Sequence, residues 1–233
     1  MLLKPFMILK INADIKNIIF ILRRHYKTCR APVTSLSQCR GNAPFKTLVS
    51  TILSSRTLDQ TTNAVCQRLF KVVRNGDDLK SISSRSLEKL IYPVGFYRVK
   101  ARQLKKLPEA LDRLFNSRIP DTAENLMRLP GVGRKTANLV AAQTFNRAEI
   151  CVDVHVHRIT NRLGFARTKT PAETENALKK IVPKRYWRDL NHLLVAFGQT
   201  VCRPRHPKCL ECPLRIYCRF TGKISVGKGR QIV

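Results

Sequence analysis

The sequence predicts an all-α protein, and three observations carry that reading. Apolar residues recur at three- and four-residue spacing through most of the chain, helix start and stop signals punctuate them, and strand-like alternation is scarce. The first helix is expected over Asp14–His25; its apolar run Ile18–Leu22 is closed by Arg23 and Arg24, far short of the roughly 18 apolar residues a membrane span needs. Helices follow at Pro44–Leu53, Asp59–Val73, Ser86–Ile91 and Arg98–Phe115. Asp121 with Glu124 reads as a capping box opening Thr122–Arg128. The hairpin LPGVG then leads into a helix over Arg134–Phe145. Thr170, Pro171 and Glu173 cap a helix that Pro183 ends, and Trp187–Phe197 is a last helix with Gly198 as its stop.

One segment is ambiguous by periodicity. Ile150, Val152, Val154 and Val156 alternate with Cys151, Asp153, His155 and His157, as in a half-buried strand. A lone strand in a helical chain lacks partners, whereas Asp153 as N-cap and Gly164 as terminator bound a helix. The helix is preferred. His155 and His157, two apart on it, face different ways and read as packing or phosphate contacts, not a metal pair. No long Gly/Ser or Pro-rich tether and no solenoid-length repeat occurs, so any division into domains is made by packing.

With 233 residues and 43% hydrophobic content the chain can bury a core, which excludes general disorder. Its 44 Lys+Arg against 15 Asp+Glu give a net charge of +29, the electrostatic footprint of a protein that works on a polyanion. Nucleic acid is the expected partner, because the cations run through the whole chain and not along one amphipathic, lipid-seeking segment. The first 58 residues hold a single acid, Asp14, as transit segments do; since the whole chain is basic, they read as an ordinary basic N-terminus.

In LPGVGRKTAN, Gly131 and Gly133 permit a tight turn, and with Val132 and Arg134 they leave the first-turn amides of the next helix open to a DNA phosphate. A plain αα corner is the bland alternative. Lys135 sits in that first turn, at the unfavourable end of the helix dipole. It is either a phosphate contact or an amine nucleophile. The helix N-terminus, Arg134 and partial burial together would disfavour the ammonium and leave more amine able to attack carbon and form a Schiff base. Asp153 is the nearest candidate carboxylate, unless it is a cap and nothing more.

Cys29, Cys39, Cys66 and Cys151 are scattered, but Cys202, Cys209, Cys212 and Cys218 follow C-x6-C-x2-C-x5-C. Four thiols so close read as a metal site, zinc or iron–sulfur equally by count, in loops whose Arg203, Arg205, His206, Lys208 and Arg215 can follow a DNA backbone.

In this order and spacing LPGVGRKTAN, VDVHVHRITNR and the cysteine pattern, with LSSRTLDQ and VGFYRVKA, resemble the endonuclease III family of DNA glycosylases from about Asp14 onward. The first dozen residues look like an extension. The resemblance implies a two-domain helix-hairpin-helix glycosylase fold. A six-helix barrel domain over 37–147 contains the hairpin motif 122–145, a discontinuous domain of 1–36 and 148–233 carries one [4Fe-4S] cluster on the four cysteines, and the active site lies in the cleft between them. It implies a bifunctional enzyme of base excision repair acting on double-stranded DNA that contains damaged pyrimidines or abasic sites. Lys135 matches the nucleophile and Asp153 the essential carboxylate. Arg56 and Phe96 stand where bacterial relatives carry a gap-filling glutamine and a leucine wedge; their bland readings are a surface cation and a core aromatic. His155 and Arg158 are candidate DNA contacts. A monofunctional mismatch-type glycosylase is the second reading, and a non-catalytic DNA-binding module with a structural metal the third. The implied protein is monomeric and makes no membrane contact, working in the nucleoid of a prokaryote or the nucleus or mitochondrion of a eukaryote.

Overall fold

A computed structural model describes residues 5–40 and 43–220. Among these residues there is no strand. The helices run in order α1 (Pro5–Thr28), α2 (Pro32–Arg40), α3 (Pro44–Ser54), α4 (Asp59–Val72), α5 (Gly76–Ser81), α6 (Ser84–Ile91), α7 (Tyr97–Phe115), α8 (Ala123–Leu126), α9 (Arg134–Phe145), α10 (Val154–Leu163), α11 (Pro171–Ile181) and α12 (Trp187–Thr200). No described helix is long and apolar enough to cross a membrane. Of the N-terminal extension, residues 1–4 lie outside the described residues; from Pro5 the backbone is already part of α1.

The chain divides into two compact units, one formed by Pro32–Cys151 with Trp187–Asp189, the other by the segments up to Ala31, Val152–Tyr186 and from Leu190 onward. In the first unit, α3 and α9 are packed against each other, α2, α4 and α7 lie against α3, α8 lies against α9, and α5 and α6 pack on α7. Every residue of Thr47–Leu53 and of Thr136–Ala142 is buried, as in helices covered on all sides. Their polar side chains are satisfied locally: Ser50 and Thr51 donate to Thr47 O (3.1 and 2.6 Å), and Asn138 donates to Ile150 O (3.1 Å). In the second unit Ile15, Ile18, Ile19 and Leu22 of α1 form a core with Val156, Ile159 and Leu163 of α10, Leu178 of α11, and Leu194 and Phe197 of α12.

The structure corrects the sequence reading in four places. Helices α2 and α5 were not expected, because PVTSLSQCR is rich in poor helix formers and GDDLKS is short. Burial of Val33 and Leu36 supports α2. Asn75 caps α5 through a bond from Asp78 N (3.0 Å), and Lys105 Nζ closes its far end on Leu79 O, Lys80 O and Ile82 O (2.8 Å each). Before α8 the cap is Thr122, whose hydroxyl accepts from Asn125 N (3.3 Å), while Asp121 is paired with Arg147 instead. Finally, Gly198 does not stop α12, which continues to Thr200. It is a packing glycine: a Cβ there would lie 2.5 Å from His155 Nδ1 and 3.0 Å from Arg158 Nη2. The other capping expectations hold at Thr170, whose hydroxyl accepts from Glu173 N (3.2 Å), and at Gly164, left-handed with φ 83°.

Candidate active site

The hairpin before α9 is anchored by its apolar residues. Leu129 and Val132 are buried, and Val132 N donates to Leu129 O (3.2 Å), so Val132 serves the turn and presents neither side chain nor amide to a ligand. Gly131 adopts φ 77°, a left-handed conformation that needs glycine, and a Cβ there would meet Gln103 Oε1 at 2.7 Å. Gly133 is different: its φ of −91° suits any residue, and an added Cβ would meet nothing within 4 Å. It is the N-cap of α9, no side chain caps that end, and Gly133 and Arg134 are exposed there, the arrangement that an anion site at a helix N-terminus uses.

Lys135 follows at the second position of α9, and it is exposed. This corrects the expected partial burial. The apolar surround of α9 begins one residue later, at Thr136, so the helix offers Lys135 a rigid base without covering its side chain. Cys151 Sγ lies 3.5 Å from Lys135 O, and together with the Asn138–Ile150 bond this ties residues 150–151 to α9.

Asp153 is the N-cap of α10, and its Oδ1 accepts from both His155 N and Val156 N (2.9 Å each). The preferred helix is therefore the one that forms. The carboxylate is buried, and the cap fixes its orientation. His155 is half-buried, its Nδ1 3.1 Å from Arg158 Nη2. Arg158 turns inward, donating to Cys202 O (2.9 Å) and Gly198 O (3.4 Å), so it braces the cysteine segment. His157 packs through Thr174 Oγ1 (2.6 Å).

Arg56 and Phe96, distant in sequence, come together within the first unit. Both are exposed, Phe96 at 60%, and the guanidinium carbon of Arg56 lies 5.4 Å from the Phe96 ring centroid. Phe96 is thus not a core aromatic. Both backbones are left-handed, with φ 51° and 57°, which is unusual for residues with a Cβ. Beneath them lies a residue that sequence reading missed. Lys100 is 5% exposed and donates to Leu53 O (2.8 Å), to Ser55 O and to Thr57 Oγ1 (3.3 Å). Burial pushes its ammonium down to about 8. Its signal in the sequence was register: Lys100 falls on the same face of α7 as Ala101, Leu104, Leu107 and Leu111.

Cys202, Cys209, Cys212 and Cys218 lie in the second unit and form no disulfide. Among the described residues no group of three or more His, Cys, Asp or Glu is gathered as a metal site. The donor chemistry nevertheless suits a thiolate-bound group. Burial, with the charges of Cys202, Cys218 and Cys209, raises the Cys212 thiol to about 11, a penalty on its thiolate form that a bound cation removes. Arg162 Nη1 donates to Cys202 Sγ (3.3 Å) and to Arg203 O (2.8 Å), the kind of N–H to sulfur bond that supports a thiolate ligand, while Cys218 Sγ, as a thiol, donates to Arg162 O (3.4 Å).

Comparison with known proteins places this site in context. Residues 49–184 match the model of the HhH-GPD superfamily of base excision DNA repair proteins. The chain is 43% identical over 187 residues to endonuclease III of Thermotoga maritima, covering 80% of this chain and 88% of that protein. It is 42% identical to endonuclease III-like protein 1 of Gallus gallus, over 72% of this chain but only 61% of the longer bird protein. A solved structure of a trapped endonuclease III–DNA covalent intermediate superposes with a TM-score of 0.74 at 35% identity, covering 88% of this chain and 95% of the other.

Proposed function

The chain belongs to the HhH-GPD superfamily of base excision DNA repair proteins, and from that premise we propose that it is a bifunctional DNA N-glycosylase and AP lyase. Its substrates are oxidised pyrimidines such as thymine glycol in double-stranded DNA. The observation that carries this reading is Lys135, an exposed primary amine beside an uncapped helix N-terminus, in a chain similar to an enzyme captured as a covalent DNA intermediate.

The open amides of α9 and Arg134 hold a backbone phosphate without reading sequence. The damaged nucleotide leaves the stack, because its sugar carbon cannot be reached inside a duplex. The neutral amine of Lys135 attacks C1′, forming a C–N bond as the N-glycosidic bond breaks and the base departs with the bonding pair. Asp153, held in orientation by its cap bonds, stabilises the cationic sugar and assists the proton leaving the lysine nitrogen. Opening of the sugar ring gives the Schiff base. Loss of a C2′ proton then expels the 3′ phosphate, and water releases the lysine. Cys202, Cys209, Cys212 and Cys218 hold a [4Fe-4S] cluster, which supplies a cross-link for the cysteine loops. The enzyme acts as a monomer.

Borohydride trapping tests the reading. Wild-type protein with abasic or thymine-glycol DNA is expected to give a covalent complex that Lys135→Gln does not form, although the variant still binds. Absence of trapping and nicking by wild type overturns the lyase reading, and base release without trapping points to a monofunctional glycosylase. For the metal, a colourless preparation with stoichiometric zinc and no iron defeats the cluster assignment.

A further inference from the structure

Two lysines of the first unit, Lys100 buried and Lys105 half-buried, close helix ends, and they do so differently. Lys105 places its ammonium on three backbone carbonyls, Leu79 O, Lys80 O and Ile82 O, all at the end of α5. That is a helix cap supplied from another helix, and it satisfies orphan carbonyls at the negative end of the dipole. Lys100 does the same for the end of α3 with two of its donors, on Leu53 O and Ser55 O. Its third donor goes elsewhere, to the hydroxyl of Thr57 (3.3 Å).

That hydroxyl is a junction. Thr57 Oγ1 also accepts from Gly95 N (3.1 Å) and donates to Ser55 O (3.3 Å), so its one proton and both lone pairs are used. The loop after α3 and the loop before α7 are thereby fastened together across 38 residues of sequence. Their approach is so close that a Cβ on Gly95 would lie 2.5 Å from the carbonyl oxygen of Arg56. On the outside of this junction stand Arg56 and Phe96, each in the left-handed region, which is strained for a residue with a Cβ. Such strain persists when surrounding bonds over-determine the backbone, and it concentrates where a surface is set for a ligand. A cap alone explains two of the three Lys100 bonds; the bond to Thr57 and the paired, strained, exposed tips it leaves unexplained.

We propose that Lys100 is a positioning residue that locks Arg56 and Phe96 into a single two-pronged wedge, set to occupy the gap left when a nucleotide is turned out of duplex DNA. The ring stacks in the gap and the guanidinium bonds the orphaned base. Lys100 itself touches no DNA. The inference rests on the reading of the chain as a DNA glycosylase, and it assigns to the 55–57 and 95–96 loops the work of opening the duplex, separate from the chemistry of Lys135.

The test compares wild type, Lys100→Met and Thr57→Val as full-length, metal-loaded proteins, with folding checked by circular dichroism. Single-turnover base release is measured on thymine glycol opposite adenine, and on thymine glycol opposite a gap, where no partner base holds the lesion in the stack. Both variants are expected to lose about 10-fold or more on the paired substrate and less than about 3-fold on the unpaired one, because unpairing is the step the wedge assists. A second readout needs no catalysis: 2-aminopurine opposite a tetrahydrofuran abasic analogue changes fluorescence on insertion of the wedge, and the variants are expected to lose that change. Equal losses on the two substrates, or an unchanged fluorescence response, overturn the proposal. If Lys100→Met does not fold, Thr57→Val alone decides. Should wild type release no base yet give a fluorescence change that the variants lack, the glycosylase reading fails while the wedge stands.

Discussion

Lys135 and Lys100 lie in the same unit at opposite ends of its two central helices, and their environments are the reverse of what chemistry alone leads one to expect. Lys135, at the positive end of α9, is exposed. Lys100, at the negative end of α3, is buried in a cage of two carbonyls and a hydroxyl, its ammonium pushed down to about 8. A buried amine with a displaced titration is often taken as the mark of a nucleophile. Here it marks a residue whose donors are all engaged and whose use is to hold backbone, whereas Lys135, the amine proposed to attack a sugar, is exposed. Access separates the two lysines.

The sharpest way to break the contrast is to remove each amine. Lys135→Gln is expected to lower base release and nicking by about 10³-fold or more, with duplex affinity and melting temperature nearly unchanged, measured by single-turnover kinetics and fluorescence anisotropy. Asp153 separates cap from chemistry in the same way. Asn caps a helix about as well as Asp, so Asp153→Asn should stay within about 0.5 kcal/mol of wild-type stability while activity drops about 10²-fold or more; Asp153→Ala adds about 1 kcal/mol of destabilisation in urea titrations. A loss of stability in Asp153→Ala with no loss of rate in either variant would reduce Asp153 to a cap.

Smaller effects sharpen it. Between about pH 8 and the ordinary lysine value of 10.5, Lys100 is largely deprotonated when folded and protonated when unfolded. The unfolded chain then binds more protons, so stability gains from raising the pH through this window. Urea midpoints of wild type relative to Lys100→Met should rise from pH 8 to 10, and a flat difference refutes the buried-charge assignment. At the hairpin, Gly131→Ala meets a left-handed φ and Gln103, and should cost about 1–2 kcal/mol of stability. Gly133→Ala meets nothing in the protein, so it should leave the fold within about 0.5 kcal/mol and act on DNA affinity instead, read by salt-dependent anisotropy.

Much of this was legible in the chain. Short-range devices carried it: Asp153 and Gly164 bounding α10, Thr170 and Glu173 opening α11, and the glycine turn before α9. Misreadings came where a local signal had two uses. Gly198 reads as a stop until His155 and Arg158 are seen packed on it, and Asp121 reads as a cap until Arg147 takes it and Thr122 serves. Helix α2 had little local signal beyond Pro32 at its first position, and burial, not propensity, supports it.

By itself the sequence determined the helical class, the α9 hairpin with Lys135 at its exit, the capping carboxylate and the four-cysteine spacing, because each is written within a few residues of one another and obeys local hydrogen-bonding and periodicity rules. The tertiary structure decided which lysine is buried and which is open, and it brought Arg56 beside Phe96 over the Thr57 junction. Burial is a property of which faces pack, and residues 38 apart meet only when those faces have found each other.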